Sequence, residues 1–213
     1  MQTVLVLGVA RSGTSMTAGI LNTMGVNFHE TGKLKKHVEQ NPKGTFENIN
    51  FITLTSKMHQ EYTAGKTMRQ IKDAYEERLK DTIRIHEREL WGFKSAVTHH
   101  FLGIILPLLN NPKLVIVVRS LLQNAQSWQV HMKDVFGRSV SLEEALDNIS
   151  KSQNVLMRNS LAAKCPKIFT SYEHIRKNPW KEAKRMGQFL SIDPELHKDE
   201  ILDFVMPNHT TLK

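Results

Sequence analysis

The stretch VLVLGVARSGTSMTAGIL, residues 4–21, constrains the fold more tightly than any other part of the chain. An apolar, β-branched run reaches Gly8, a short polar loop closes at Gly13, and a helical pattern begins at once. A strand that turns through glycines into a helix presents backbone N–H groups and the positive end of a helix dipole, which is how an anion is cradled. Gly8 and Gly13 have the spacing of the phosphate-loop pattern GxxxxGK[ST], yet Thr14 stands where that pattern has its lysine. The loop carries its cation internally, as Arg11. Gly13 lets the backbone approach an oxyanion, Ser12, Thr14 and Ser15 add hydroxyl donors, and the Arg11 guanidinium offers a planar fork for two oxygens.

The rest of the chain repeats the strand-then-helix rhythm. Strands are predicted at 3–8, 91–97, 113–118 and 167–172. Helices are predicted at 14–25, 67–90, 120–134, 141–163 and 179–190. The first and third strands read as nearly unbroken apolar runs, as strands covered on both faces do. Ile71, Tyr75, Leu79 and Ile83 recur at i,i+4 spacing against a charged opposite face, which marks an amphipathic helix. Strands separated by helices predict an α/β fold with a central, mostly parallel sheet flanked by helices. With 213 residues, 40% of them hydrophobic, the whole chain, 1–213, is expected to form one domain. The polar, basic segment 27–50 departs from the rhythm, and such loops commonly carry function.

The formal charge of +8 creates a field that draws anionic ligands without naming one. A single cysteine, Cys165, excludes an internal disulfide framework and a cysteine-based zinc cluster. It is read as a buried thiol at the entry to the last strand. The opening VLVLG is too short for a secretory signal, and FLGIILPLL at 101–109 is too short to span a bilayer. The expectation is a soluble, cytoplasmic protein with no membrane partner.

The anion is narrowed by what is missing. Nucleoside triphosphatases use the loop lysine on the β- and γ-phosphates and hold Mg²⁺ with the help of a strand-end aspartate. Here the lysine is absent, and the apolar strand KLVIVV runs into Arg119. Eight residues after Arg119 comes Ser127, in KLVIVVRSLLQNAQSW. ARSGTSM, together with a strand-end arginine and a serine at that spacing, resembles the sulfotransferases that use 3′-phosphoadenosine 5′-phosphosulfate (PAPS), the carbohydrate-modifying members in particular. NPKGTFEN (41–48), WGFK (91–94), SYEHI (171–175) and FLSI (189–192) are similar to further segments of that family. Where the family has Asp-Pro or Asn-Pro after the arginine this chain has Ser120-Leu121, and no RKG-type adenine clamp is found near its C-terminus.

The resemblance implies a three-layer fold of the P-loop NTPase type, PAPS as sulfuryl donor, adenosine 3′,5′-bisphosphate (PAP) as product, and no metal. Arg11, Ser12, Gly13, Thr14 and Ser15 match the residues that wrap the 5′-phosphosulfate, and Arg119 and Ser127 those that hold the 3′-phosphate. Arg11 is expected to stabilise charge developing on the leaving oxygen. Glu47 is the leading general base, or else a cap for a helix starting near Asn48, and His29 and His37 are rival bases. Lys94 is expected either to contact donor sulfate or acceptor, or to reach from a strand end into solvent. The expected acceptor is a hydroxyl or amine on a small molecule or glycan. Tyr172-Glu173 is read as an anchor of the last strand, and Trp128 and Trp180 as packing residues. His99-His100 lack the companions of a metal ligand set. Two other readings remain: a nucleotide kinase or triphosphatase with a degenerate loop, and a non-catalytic binder of nucleic acid or acidic glycan. Against the binder, aromatics make up 7% of residues, and basic residues are not interleaved with them.

Overall fold

A computed structural model of the chain describes residues 1–28 and 44–206. Four strands, β1 (Gln2–Leu7), β2 (Leu90–Lys94), β3 (Pro112–Val118) and β4 (Lys167–Ser171), form one sheet in the order β2-β1-β3-β4. Every neighbouring pair is parallel. Alternation along the strands divides the core in two. Leu5, Leu7, Leu114 and Ile116 face one layer of helices, and Val4, Val6, Val115 and Val117 face the other. The first layer contains α2 (Ile49–Thr63), α3 (Met68–His86), α4 (Leu102–Ile105), α5 (Leu121–Phe136) and α6 (Leu142–Ala162). The second contains α1 (Thr14–Thr23), α7 (Tyr172–Lys177), α8 (Pro179–Leu190) and α9 (Lys198–Val205). Each fully buried leucine or valine in these layers contributes about 1.5–3 kcal/mol. The three-layer arrangement expected from the sequence is the one observed.

Local chemistry sets the element ends. Thr67 accepts from the Gln70 backbone N–H while the Gln70 side chain accepts from Thr67 N–H, a closed capping box at the start of α3. Ser141 caps α6 by accepting from Glu144 N–H, and the Glu144 carboxylate is drawn outward to Arg138. Three expectations are revised. The second strand stops at Lys94, short of residue 97, because Ser95 leaves the sheet to bond Thr55 of α2 at 2.9 Å. The helix expected over 67–90 ends at His86, where Glu87 turns extended so the chain can enter β2. The last strand ends at Ser171, whose hydroxyl accepts from His174 N–H and starts α7 at Tyr172.

Trp128 and Trp180 pack against the two core layers, and Cys165 is half-buried just ahead of β4, its thiol pushed up by burial. Among the described residues no helix is long and apolar enough to cross a membrane.

Candidate active site

The sheet order fixes where a ligand fits. The connection from β1 leads to β2 on one side, and that from β3 leads to β4 on the other. The helices that directly follow them, α1 and α5, pack on opposite faces. The chain therefore parts at the C-terminal ends of β1 and β3, leaving the crevice in which doubly wound sheets hold ligands.

Residues 8–13 form one wall. Gly8 is required by crowding: a Cβ there would lie 2.5 Å from Ser12 Oγ and 3.0 Å from the Val117 carbonyl. Gly13 has φ 96°, a conformation that disfavours any side chain, and an added Cβ would meet the Tyr172 ring at 2.6 Å. As N-cap of α1 it supplies no side-chain acceptor, and the first turn holds no acidic residue. The amides of that turn therefore lack intrahelical partners and face the crevice with their positive end. Ser12 is fully buried, and its Oγ has no hydrogen-bond partner.

Two guanidinium groups converge on this loop. Arg119, just past β3, donates from Nη1 to the Arg11 carbonyl at 3.0 Å, and its Cζ lies 4.3 Å from the centre of the Tyr172 ring. Its buried Nε is left without a partner. Arg11, itself at φ 67°, donates from Nε to Ser127 Oγ on α5 at 3.3 Å. Burial and then the neighbouring Arg119 pull the Arg11 guanidinium below its ordinary pKa. Among the described residues no carboxylate forms a salt bridge with either arginine. Two partly desolvated cations side by side form a site whose natural complement is an anion.

The structure thus brings Arg11, Ser12, Gly13, Thr14, Ser15, Arg119 and Ser127 to one crevice, with a revised division. Ser127 is held by Arg11, while Arg119 is held by the loop carbonyl and by Tyr172. The two anion pockets expected from the sequence share a seam. Tyr172, read as a strand anchor, also belongs to the site, stacked on Arg119 and closing over Gly13. The YE pair at a strand end was visible in the sequence, but not which way the ring faced. Its neighbour Glu173 accepts from Ser120 N–H at 2.9 Å and pins the turn after β3. Buried Asn124, unsuspected from sequence, lies against the Ala10 and Arg11 carbonyls; with its amide set so that the nitrogen faces these two acceptors, it donates to them at 2.9 and 3.0 Å.

A second pair lies on the adjoining strand. Lys94 pairs with Val6 in the sheet register, close to where β1 enters the loop, and its buried Nζ donates to Glu47 Oε1 at 3.1 Å. Lys94 therefore points inward rather than reaching into solvent. Glu47 is not the helix cap either: Asn48 takes that place, its side chain accepting from Asn50 N–H at 2.9 Å. His29 and His37 lie outside the described residues.

His99 and His100 stack with ring centres 4.4 Å apart, and burial lowers their pKa values to about 3 and about 4. Among the described residues no three or more His, Cys, Asp or Glu side chains gather as a metal ligand set.

A family model described as a sulfotransferase domain matches residues 1–208. Among solved structures, the chain is similar to a sulfotransferase domain from the curacin biosynthetic pathway, at 15% identity and TM-score 0.58. The match covers 96% of this chain and 78% of that one. It is also similar to mouse sulfotransferase SULT7A1 complexed with PAP, at 16% identity and TM-score 0.55, over 96% of this chain and 63% of that one. A sulfotransferase from Alicyclobacillus acidocaldarius matches at 13% identity and TM-score 0.51, over 97% and 92% of the two chains. No curated protein matches in sequence. At these identities the structural likeness speaks to the fold.

Proposed function

The chain belongs to the sulfotransferase domain family, whose reaction is sulfuryl transfer, and on that premise we propose PAPS as its donor and a hydroxyl or amine as its acceptor. One observation carries this reading: two guanidiniums with no salt-bridging carboxylate among the described residues and a glycine loop with orphaned buried donors meet in a single crevice. The residues fit such a donor. The Ser12 hydroxyl and Arg119 Nε have hydrogen bonds still to make. When bound, PAPS supplies an activated sulfuryl group on a phosphate leaving group.

The loop amides, with Ser12, Thr14 and Ser15, hold the 5′-phosphosulfate. Arg119 and Ser127 hold the 3′-phosphate, with Tyr172 fixing the plane of Arg119. Arg11 spans the seam between the two subsites and offers its charge to the leaving oxygen, where preorganised donors count most. This division needs no metal and no lysine at position 14, because there is no γ-phosphate to grip. The curacin-pathway and mouse sulfotransferases supply the analogy for the fold, and the PAP bound to the mouse protein supplies the analogy for the ligand.

Glu47 is the proposed general base for the acceptor, held by Lys94 at the edge of the same sheet end. The acceptor is a small molecule, with a glycan as the finer reading from the carbohydrate-type loop motif. The enzyme is proposed to act as a single, soluble, cytoplasmic domain.

Calorimetric titration with PAP, and with ATP with and without Mg²⁺, tests the assignment. Metal-independent binding of PAP that is lost in Arg119→Ala supports it. Tighter, Mg²⁺-dependent binding of ATP would transfer the chain to the kinase reading.

A further inference from the structure

A second cavity, of about 990 Å³, lies away from the crevice. It is framed by the start of α3, by residues 100–107 and by the C-terminal part of α6 with the turn that follows. Pro112 lines it at the beginning of β3, whereas Arg119 enters the crevice just beyond the end of the same strand. Seven residues at about 3.3 Å each put these points roughly 23 Å apart. None of the crevice residues lines the cavity. A molecule seated here at Pro112 does not present its reacting group to the phosphate loop, so this is not an acceptor subsite.

The walls divide into two kinds. Met68, Leu106 and Val155 present the apolar part of the wall. Among the described residues, the charged ones that line it, Arg69, Lys72, Arg158 and Lys164, are all cationic, and no Asp or Glu joins them. Lys72 shares its charge with Glu76 at 3.5 Å, while Arg69, Arg158 and Lys164 have no ion pair among the described residues. His100, in the same wall, is held neutral by burial. A volume at the upper end of ordinary ligand pockets, apolar inside and positive at the mouth, selects a ligand of matching polarity.

We propose that this cavity binds a free long-chain monoanion, with its alkyl tail along Met68, Leu106 and Val155 and its headgroup at Arg158, Lys164 and Arg69. Long cationic side chains suit this arrangement, since their stems extend the apolar wall while their charged ends meet the headgroup. The site does not depend on the identity of the sulfuryl donor. Concavity favours a single seated molecule over a membrane surface, which a flat or convex amphipathic face would serve better.

The probe is laurate, kept below its micelle concentration and titrated by calorimetry with and without saturating PAP. Glycerol monolaurate is the neutral control and dodecyltrimethylammonium the cationic one. Laurate is expected to bind one per chain, with the same affinity in the presence of PAP. The neutral and cationic probes are expected to bind about tenfold more weakly or not at all. The double variant Arg158→Glu/Lys164→Glu is expected to lower laurate affinity about tenfold while leaving PAP binding unchanged.

Gly103→Phe is expected to plug the space, since a Cβ at Gly103 meets nothing within 4 Å. If that variant does not fold, the charge-reversed one decides. Absence of laurate binding, equal affinity for all three probes, displacement by PAP, or full binding by a folded Gly103→Phe protein would each overturn the assignment. So would binding to phosphatidylserine vesicles without binding to free laurate, because the cavity would then be serving a membrane surface.

Discussion

Two clusters of charged side chains, one between β4 and α8 and one at the C-terminal ends of β1 and β3, solve the same electrostatic problem differently. At the edge facing α8, Glu182 is buried and accepts from Thr170 Oγ1 and Arg185 Nη2, both at 2.7 Å, while Arg185 also donates to the Phe169 carbonyl at 2.6 Å. Each charge there has an opposite charge or a hydrogen bond facing it. In the crevice, Arg11 and Arg119 stand together with no described carboxylate, and buried donors on Ser12 and Arg119 go unmatched. Burying unpaired polar groups costs free energy, and removing one partner of a closed cluster costs more than the cluster contributes. A closed cluster holds the fold together, whereas an open one waits for a ligand.

Substitutions in the crevice are expected to show the largest effect. Arg11→Ala and Arg119→Ala should each lower kcat/KM for sulfuryl transfer by about 10²–10³-fold, with thermal midpoints near that of the parent. Full activity in Arg11→Ala, or a collapse of stability without loss of activity, would erase the distinction between the two clusters. Next comes Glu47→Gln, expected to reduce kcat by about 10²-fold. An unchanged kcat there removes Glu47 from the chemistry.

At the closed cluster the readout reverses. Glu182→Ala should cost about 2–3 kcal/mol in urea unfolding, while the folded fraction keeps parental activity. Gly13→Ala sharpens the crevice side. The φ of 96° and the approach to the Tyr172 ring should weaken PAP binding about tenfold in calorimetry.

The smallest effect concerns His99 and His100, which meet the cost of burial by staying neutral. Their folded pKa values, about 3 and about 4, lie below the ordinary histidine value, so the unfolded chain binds protons first as pH falls. Their contribution is complete above about pH 6.5 and is lost progressively toward pH 4–3. His99→Phe should flatten this acid limb in denaturation curves, and an unchanged slope would show that His99 does not create it.

Much of this was legible in the chain, and the reasons are local. Unbroken apolar runs at 3–8 and 113–118 can be buried on both faces only in a parallel sheet, and Gly8 and Gly13 leave few shapes for the turn between strand and helix. The spacing put Arg119 at a strand end and Ser127 on the next helix, and each meets Arg11 from there. What escaped were contacts across elements. The direction of the Tyr172 ring, the Asn124 amide under the loop, and the pairing of Glu47 with Lys94 each depend on a partner from a distant part of the sequence.

By itself the sequence determined the layers, the anion loop and the absence of its lysine, because periodicity and backbone sterics act between near neighbours. The tertiary structure decided that both arginines share one seam, that Lys94 turns inward to Glu47, and that an apolar cavity ringed by cations forms at the far end of β3. Those outcomes depend on the order in which the strands pair, and that order is set by the summed packing of two helical layers, to which no short stretch of sequence corresponds.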